Sequence, residues 1–345
     1  MTALLIMLLP LCVLAQTAQS GGDNVVPASG QLSVIIEQVH ARPTDAETLT
    51  KARVIAFALL ARQRYEDAWS IFRAVLDVSP RDQKALYGGA LALFNLKQIK
   101  QAESLARAAL SATGVDLNAR ERPGDKADAE ANVRASDALV LLGVILAVEK
   151  DNAGALKAVE QAVALAPGNF DAHYALGRAR YGAGDPAGAA KAFRAASALR
   201  PVDAKARFFL ATSLEDAGDS EGALAAYREL LLVQPDSAEG HLGLGVLLVK
   251  LGGEGTAEGM SELARAIALN GDLYEARVTL GRTLVRMGRA AESIEHLRRA
   301  ALLAPQNPEP HYQLALAYRR LGRNAEAAQE TAIVQNIHSA RRGEN

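Results

Sequence analysis

Two stretches, HYALGRARYGAGDPAGAAKAFRAASALRP (residues 173–201) and RFFLATSLEDAGDSEGALAAYRELLLVQP (residues 207–235), match landmark for landmark at a shift of 34 residues. Extending that ruler divides the chain into eight units, which begin at Leu49, Gln83, Ser136, Phe170, Ala204, Ala238, Tyr274 and Pro308. Two steps depart from it, 53 residues from Gln83 to Ser136 and 36 from Ala238 to Tyr274. Counting places from the start of each unit, place 7 is mostly Leu (Leu142, Leu176, Leu210, Leu244, Leu280, Leu314). Place 8 is always Gly or Ala, place 20 is small, and five units close with Pro80, Pro167, Pro201, Pro235 and Pro305.

Places 4, 7, 8 and 11 fall on one stripe of a first helix, and places 20, 24 and 27 on one stripe of a second. Small residues at places 8 and 20 let two antiparallel backbones approach, while Leu and Phe fill the space beside them. Gly at place 15 (Gly184, Gly218, Gly252, Gly288, Gly322) suits a left-handed residue ending the first helix. Gly184-Asp185-Pro186 spells the turn: a terminating glycine, a capping aspartate, and a proline in the next first turn. The closing proline stops the second helix. The chain is therefore expected to be all-α.

These residues resemble the tetratricopeptide repeat (TPR) family over residues 49–334. The resemblance implies an α-solenoid, a right-handed superhelix of about eight antiparallel helix pairs, whose function is to bind other proteins. The pattern agrees independently, since one pair cannot bury its apolar stripe alone but a stack can. Residues 31–48 are expected to cap the front, with a lone helix over QLSVIIEQVHA (31–41). Repeats 1–2 occupy 49–110 and repeats 3–8 occupy 136–334. Between them lies a polar insertion, 111–135, whose residues 127–135 are open to reading as an extension of the next helix. Residues 335–345 are read as a C-terminal tail, the exposed end of a last helix. The units from Gln83 and Ala238 carry Gly89 and Gly271 where Leu and Pro are usual, and are expected to be the loosest.

The chain has 345 residues, half of them apolar but only 5% aromatic, so Ala and Leu must supply most of the core. Its 38 basic and 39 acidic residues net to −1, which argues against a nucleic-acid surface and against an acidic disordered polymer. Residues 1–15, MTALLIMLLPLCVLA, would reach only about 22 Å as a helix, short of a bilayer core. They read as a signal peptide, which places the protein outside the cytoplasm (periplasmic or secreted), with no stable membrane span after cleavage. A retained anchor and a mis-assigned start stay open, because no Lys or Arg precedes Arg42. Residues 16–30 read as a flexible tail. Cys12, the single cysteine, would leave with the signal.

Motifs for chemistry are missing. His173, His241 and His311 share place 4, a packing place in the family, and recur because the repeat does. No His, Cys and carboxylate spacing fits a metal, and no GxSxG, Walker A or HExxH string occurs. No catalytic residue, cofactor or metal is expected.

Places 2, 5, 9, 12 and 13 form a second stripe of the first helix, about 130° round from the packing stripe. In the family that stripe lines the concave groove. Here it holds Tyr174, Arg178 and Tyr181; Phe208, Thr212 and Glu215; Leu242 and Val246; Val278, Arg282 and Arg286; and Tyr312. Phe57, Tyr87, Leu91, Phe94, Val140 and Val144 continue it in the earlier units. So apolar a surface, edged by arginine, predicts a partner segment laid in the groove, its carboxylate near Arg178 or Arg282. The function expected is a non-enzymatic scaffold or assembly factor. The alternative is a substrate-presenting or regulatory subunit of an enzyme complex encoded elsewhere. Self-association through an exposed terminal helix is compatible with both.

Overall fold

The computed structural model describes residues 31–115 and 126–343. The expected signal and flexible tail, residues 1–30, lie outside that range, as does the middle of the insertion. Two compact units divide the chain after Pro201. The first contains α1 (Leu32–Ala41), α2 (Ala46–Ala61), α3 (Tyr65–Val78), α4 (Gln83–Asn95), α5 (Ile99–Ser111), α6 (Lys126–Val148), α7 (Asn152–Leu165), α8 (Phe170–Gly182) and α9 (Pro186–Leu199). The second contains α10 (Ala204–Asp216), α11 (Ser220–Val233), α12 (Ala238–Leu251), α13 (Gly255–Leu269), α14 (Tyr274–Arg286), α15 (Ala290–Leu303), α16 (Pro308–Arg320) and α17 (Asn324–Arg342). Among the described residues there is no strand; the chain is an all-α solenoid of helix pairs. Within a pair, the even-numbered helix is called A and the odd-numbered helix that follows it B.

Caps and turns fix the pairs. Asp45, Asp82, Asn169, Asp203, Ser237 and Asn307 each accept a backbone N–H in the first turn of an A helix. Asp151, Asp185 and Asp219 do the same for α7, α9 and α11. Where Arg64, Arg289 or Arg323 stands just before a B helix, the arginine instead pairs with an acid three residues on. The A-to-B turn needs a left-handed residue, and Gly184 (φ 79°) and Gly288 (φ 81°) provide it without a side chain to strain. Gln63, Lys97 and Lys150 hold the same place in earlier repeats, at φ 60°, 63° and 67°.

Place 8 meets place 24. A Cβ on Gly177 would stand 2.7 Å from the Phe193 ring, and one on Gly281 2.6 Å from Leu297. The two units expected to be loose are tightly packed. Gly88 lies under Phe72 and Gly89 under Trp69, so aromatic rings from α3 fill the space that the missing side chains leave. In the unit from Ala238, a Cβ on Gly245 or on Gly259 would be 2.9 Å from the other's carbonyl oxygen, so backbone packs on backbone.

The structure sets three boundaries. The first repeat helix begins at Ala46 rather than at Leu49, because Asp45 caps it just beyond the break at Pro43. The insertion shrinks at both ends: Ser111 closes α5, and residues 126–135 form the first turns of α6, where Glu130 pairs with Arg134 one turn on. The segment read as the exposed end of the last helix is helical as far as Arg342. Ile337 is buried there, Arg341 donates to the carbonyl of Gln306 at 2.6 Å, and Gly343 closes the helix at φ 69°.

Over Ala129–Val148, α6 is long and apolar enough to cross a membrane by length and composition; 56% of that window is buried inside the fold. Place 4 is apolar core in the first three units (Ala52, Leu86, Leu139) and polar in its role in later ones. The Nε2 of His173 donates to Pro167 O at 2.9 Å, that of His241 to Pro235 O at 2.8 Å, and Arg277 Nε to Gly271 O at 2.6 Å. Each side chain ties its A helix to the closing residue of the repeat before. His241 and His311 also reach through Nδ1 to Glu262 and Glu330 on their own B helices.

Candidate partner-binding surface

In the second unit, α14 shows how an A helix is exposed. Ala276, Val278 to Gly281 and Thr283 to Val285 are buried, whereas Glu275, Arg282 and Arg286 are exposed at steps of seven and four. Helices α12, α13, α15 and α16 pack around it, so that stripe is its open face. The neighbouring A helices show the same stripe. On α10 it carries Lys205, Phe208, Thr212 and Glu215, on α12 Glu239, Leu242, Val246 and Lys250, and on α16 Tyr312, Leu316, Arg319 and Arg320.

The apolar floor of this face is Phe208, Leu242 and Val246, all half-buried. Phe208 meets Phe209 edge-on at 5.7 Å, and Leu242 and Val246 rest on the core around Val249, Leu263 and Leu280. Tyr312 stands out, 51% exposed. Thr212 spends its hydroxyl on Phe208 O at 3.0 Å. Glu215 accepts from Tyr227 at 3.4 Å and faces Lys250 at 3.6 Å. Arg319 donates to Thr331 at 3.1 Å and Arg320 to the carbonyl of Val285. Burial pushes the Tyr227 phenol up from its ordinary range, so it stays a donor.

The first unit differs. Tyr181 is 37% exposed, Arg178 is half-buried, and Tyr87, Leu91, Phe94 and Val144 are half-buried on α4 and α6. Phe57 packs edge-on against Phe72 at 5.0 Å. Two residues assigned to the groove belong to the core instead, and Val140 joins them. Tyr174 is buried between Phe170 (5.8 Å, near-parallel) and Phe193 (5.6 Å, edge-on), an aromatic cluster that draws the ring inward. Val278 is buried because its short side chain lies below the packed flanks of α12 and α16.

A polar group that the sequence reading missed joins the middle of α6 to the start of α8 in the first unit. Asn169, which caps α8, donates to Asp137 Oδ1 at 2.8 Å and to Ser136 at 3.0 Å. The Ser136 hydroxyl in turn donates to Ala162 O at 2.9 Å. Arg200 lies 4.0 Å over the Phe170 ring and 3.4 Å from Asp171. Burial pushes the Asp137 carboxyl up to about 6; the Asn169 amide pulls it down, and the charge of Asp171 adds to the rise. Burial also raises the Tyr87 phenol, with Asp137 and Asp171 acting in the same direction. The signal was available: acids at place 2 of two successive repeats, with an asparagine just before the second.

Among the described residues, no group of three or more His, Cys, Asp or Glu side chains is placed to hold a metal ion. A shallow depression of about 410 Å³ lies between α16 and α17, lined by Arg319, Asn324, Ala327, Ala328, Thr331, Ala332 and Gln335.

A family model described as tetratricopeptide repeat matches residues 55–117, 174–231 and 210–272, and a second, described as TPR repeat, matches 281–322. No curated protein sequence matches the chain. Among solved structures, the C-terminal part of a TPR repeat-containing protein from Cytophaga hutchinsonii is similar at 14% identity and a TM-score of 0.56, covering 75% of this chain and 98% of its own. Pseudomonas aeruginosa pilF is similar at 16% identity and a TM-score of 0.50, covering 62% and 99%. YrrB, described as a TPR protein with an unusual peptide-binding site, gives 20% identity and a TM-score of 0.47, covering 59% and 95%. At these identities the likeness is one of fold.

Proposed function

Because the chain belongs to the tetratricopeptide repeat family, we propose that it is a non-enzymatic scaffold or assembly factor that holds segments of partner proteins on the open faces of its A helices. Protein interaction is the general role of such repeats. The observation that carries the reading here is the surface of the second unit, where Phe208, Leu242, Val246 and Tyr312 leave apolar area in water that the fold itself does not cover. A partner segment gains by burying that area, at roughly 25 cal/mol per Å² before the cost of ordering the segment. Residues 1–15 support export, which would put the partners in the cell envelope or outside the cell.

Photo-crosslinking tests the reading. A benzophenone amino acid is placed at Leu242 or Tyr312 on the open face and, for comparison, at Glu229 or Arg299 on the B helices, in cells of the source organism. Specific adducts from the open-face positions only are the expected result. Adducts from the B helices alone would reject it. A periplasmic reporter fused after residue 30 tests export separately: activity is expected, and its absence would remove the envelope assignment without touching the binding one.

A further inference from the structure

The distribution of paired and unpaired arginines in the second unit says what the partner carries. Arg207, Arg228, Arg265, Arg289, Arg299 and Arg323 each hold a carboxylate. Arg277, Arg320 and Arg341 donate to backbone carbonyls and Arg319 to Thr331, and Arg298 on α15 lies over the Tyr318 ring at 6.0 Å. Among the described residues, Arg282 and Arg286 have neither a hydrogen bond nor an ion pair, and both are exposed. They stand one turn apart on the open stripe of α14, about 6 Å along the axis. A cation in the last turn complements the negative end of its helix, which accounts for Arg286. It does not account for Arg282, a full turn earlier. Beside them, α16 adds Arg319 and Arg320, whereas the apolar floor of Phe208, Leu242 and Val246 lies on the other side, on α10 and α12.

We propose that this face of the second unit takes an acidic, amphipathic polypeptide segment. Two of its carboxylates engage Arg282 and Arg286 while aliphatic or aromatic side chains rest on Leu242, Val246 and Phe208. The proposal rests on the open-face binding reading above and adds the chemistry of the partner. Spacing follows from geometry: carboxylates about 6–7 Å apart are two residues apart in an extended segment, or four apart in a helix. Guanidinium groups with no internal acid bind such carboxylates in charge-assisted, often bidentate, pairs.

The test pans a random twelve-residue peptide display library on the full chain and on the R282Q/R286Q double variant, with thermal melts to verify that the variant is folded. The expected result is a several-fold enrichment of Asp and Glu, at spacings of two or four and interleaved with apolar residues. That enrichment should vanish on the double variant. A selected peptide should bind the full chain at least tenfold more tightly than its Asn/Gln counterpart, and the difference should shrink with added salt. Peptides that crosslink to Leu242 without acidic enrichment, or with the same enrichment on the double variant, would overturn the acidic partner and leave open-face binding standing. Peptides that crosslink only to B helices, or a library that yields no binder, would remove both.

Discussion

Asp137 is where a single residue sets the chemistry of its surroundings. Its carboxyl, pushed up to about 6 by burial, binds a proton more readily in the folded chain than in the unfolded one, whose carboxyl titrates near 4. The resulting stabilisation is complete below about pH 4 and is lost as the pH rises through 6, a difference of about 3 kcal/mol across that window. Asp137→Asn keeps an acceptor for Asn169 and removes the charge. It is expected to raise the melting temperature at pH 7.5 by several degrees and to flatten the difference between pH 7.5 and pH 5. Calorimetry at the two pH values checks this, and a variant that melts below the parent at pH 7.5 would refute it. His241 makes a second case. Its ring joins Pro235 O to Glu262, so His241→Ala strands a carbonyl and a carboxylate together. The expected cost is about 1–3 kcal/mol in urea unfolding, more than for His173→Ala, whose ring reaches Pro167 O.

At the scale of the helix, close approach decides the sign of a substitution. Ala for Gly inside a helix ordinarily gains about 1 kcal/mol. At Gly245 the new methyl would meet the Gly259 carbonyl and the backbone nitrogen of Leu263, neither of which can rotate away. Overpacking costs about 1–3 kcal/mol, so Gly245→Ala is expected to lower stability in denaturant melts despite the better propensity. The period of 34 made these pairs legible: the small residues at places 8 and 20, the caps and the turn glycines are all local signals. Which member of the second stripe is open was less legible. Tyr174 and Tyr312 share place 5, yet one is held by Phe170 and Phe193 while the other stands in water. That depends on residues of other helices, which a single repeat does not reveal. The start of α6 and the end of α17 were less sharply legible for a related reason, since charged helical turns carry no apolar period.

For the chain as a whole, stability is a sum over neighbouring repeats. In the second unit, Leu314, Ala317 and Tyr318 of α16 cover Val285 and Leu297. Deleting residues 308–345 would strip that cover. The expected outcome is a smaller urea m-value and fast hydrogen exchange in α14 and α15, with α10 to α13 still protected. Loss of protection throughout the second unit would mean that it folds all-or-none, contrary to the stacking argument.

Gln63, Lys97 and Lys150 bend the chain where later repeats use glycine, and a left-handed side chain costs roughly 1–2 kcal/mol. Both lysines are exposed and stand in A-to-B turns of the first unit. A protease that cuts after lysine meets there an exposed turn whose strain is released when it opens. Among the described residues, trypsin in brief digestion should nick after Lys97 and Lys150 before it cuts within any helix. Lys97→Gly with Lys150→Gly should erase those sites and lengthen the survival of the first unit, so that the durability of this protein against degradation is decided by turns rather than by its core.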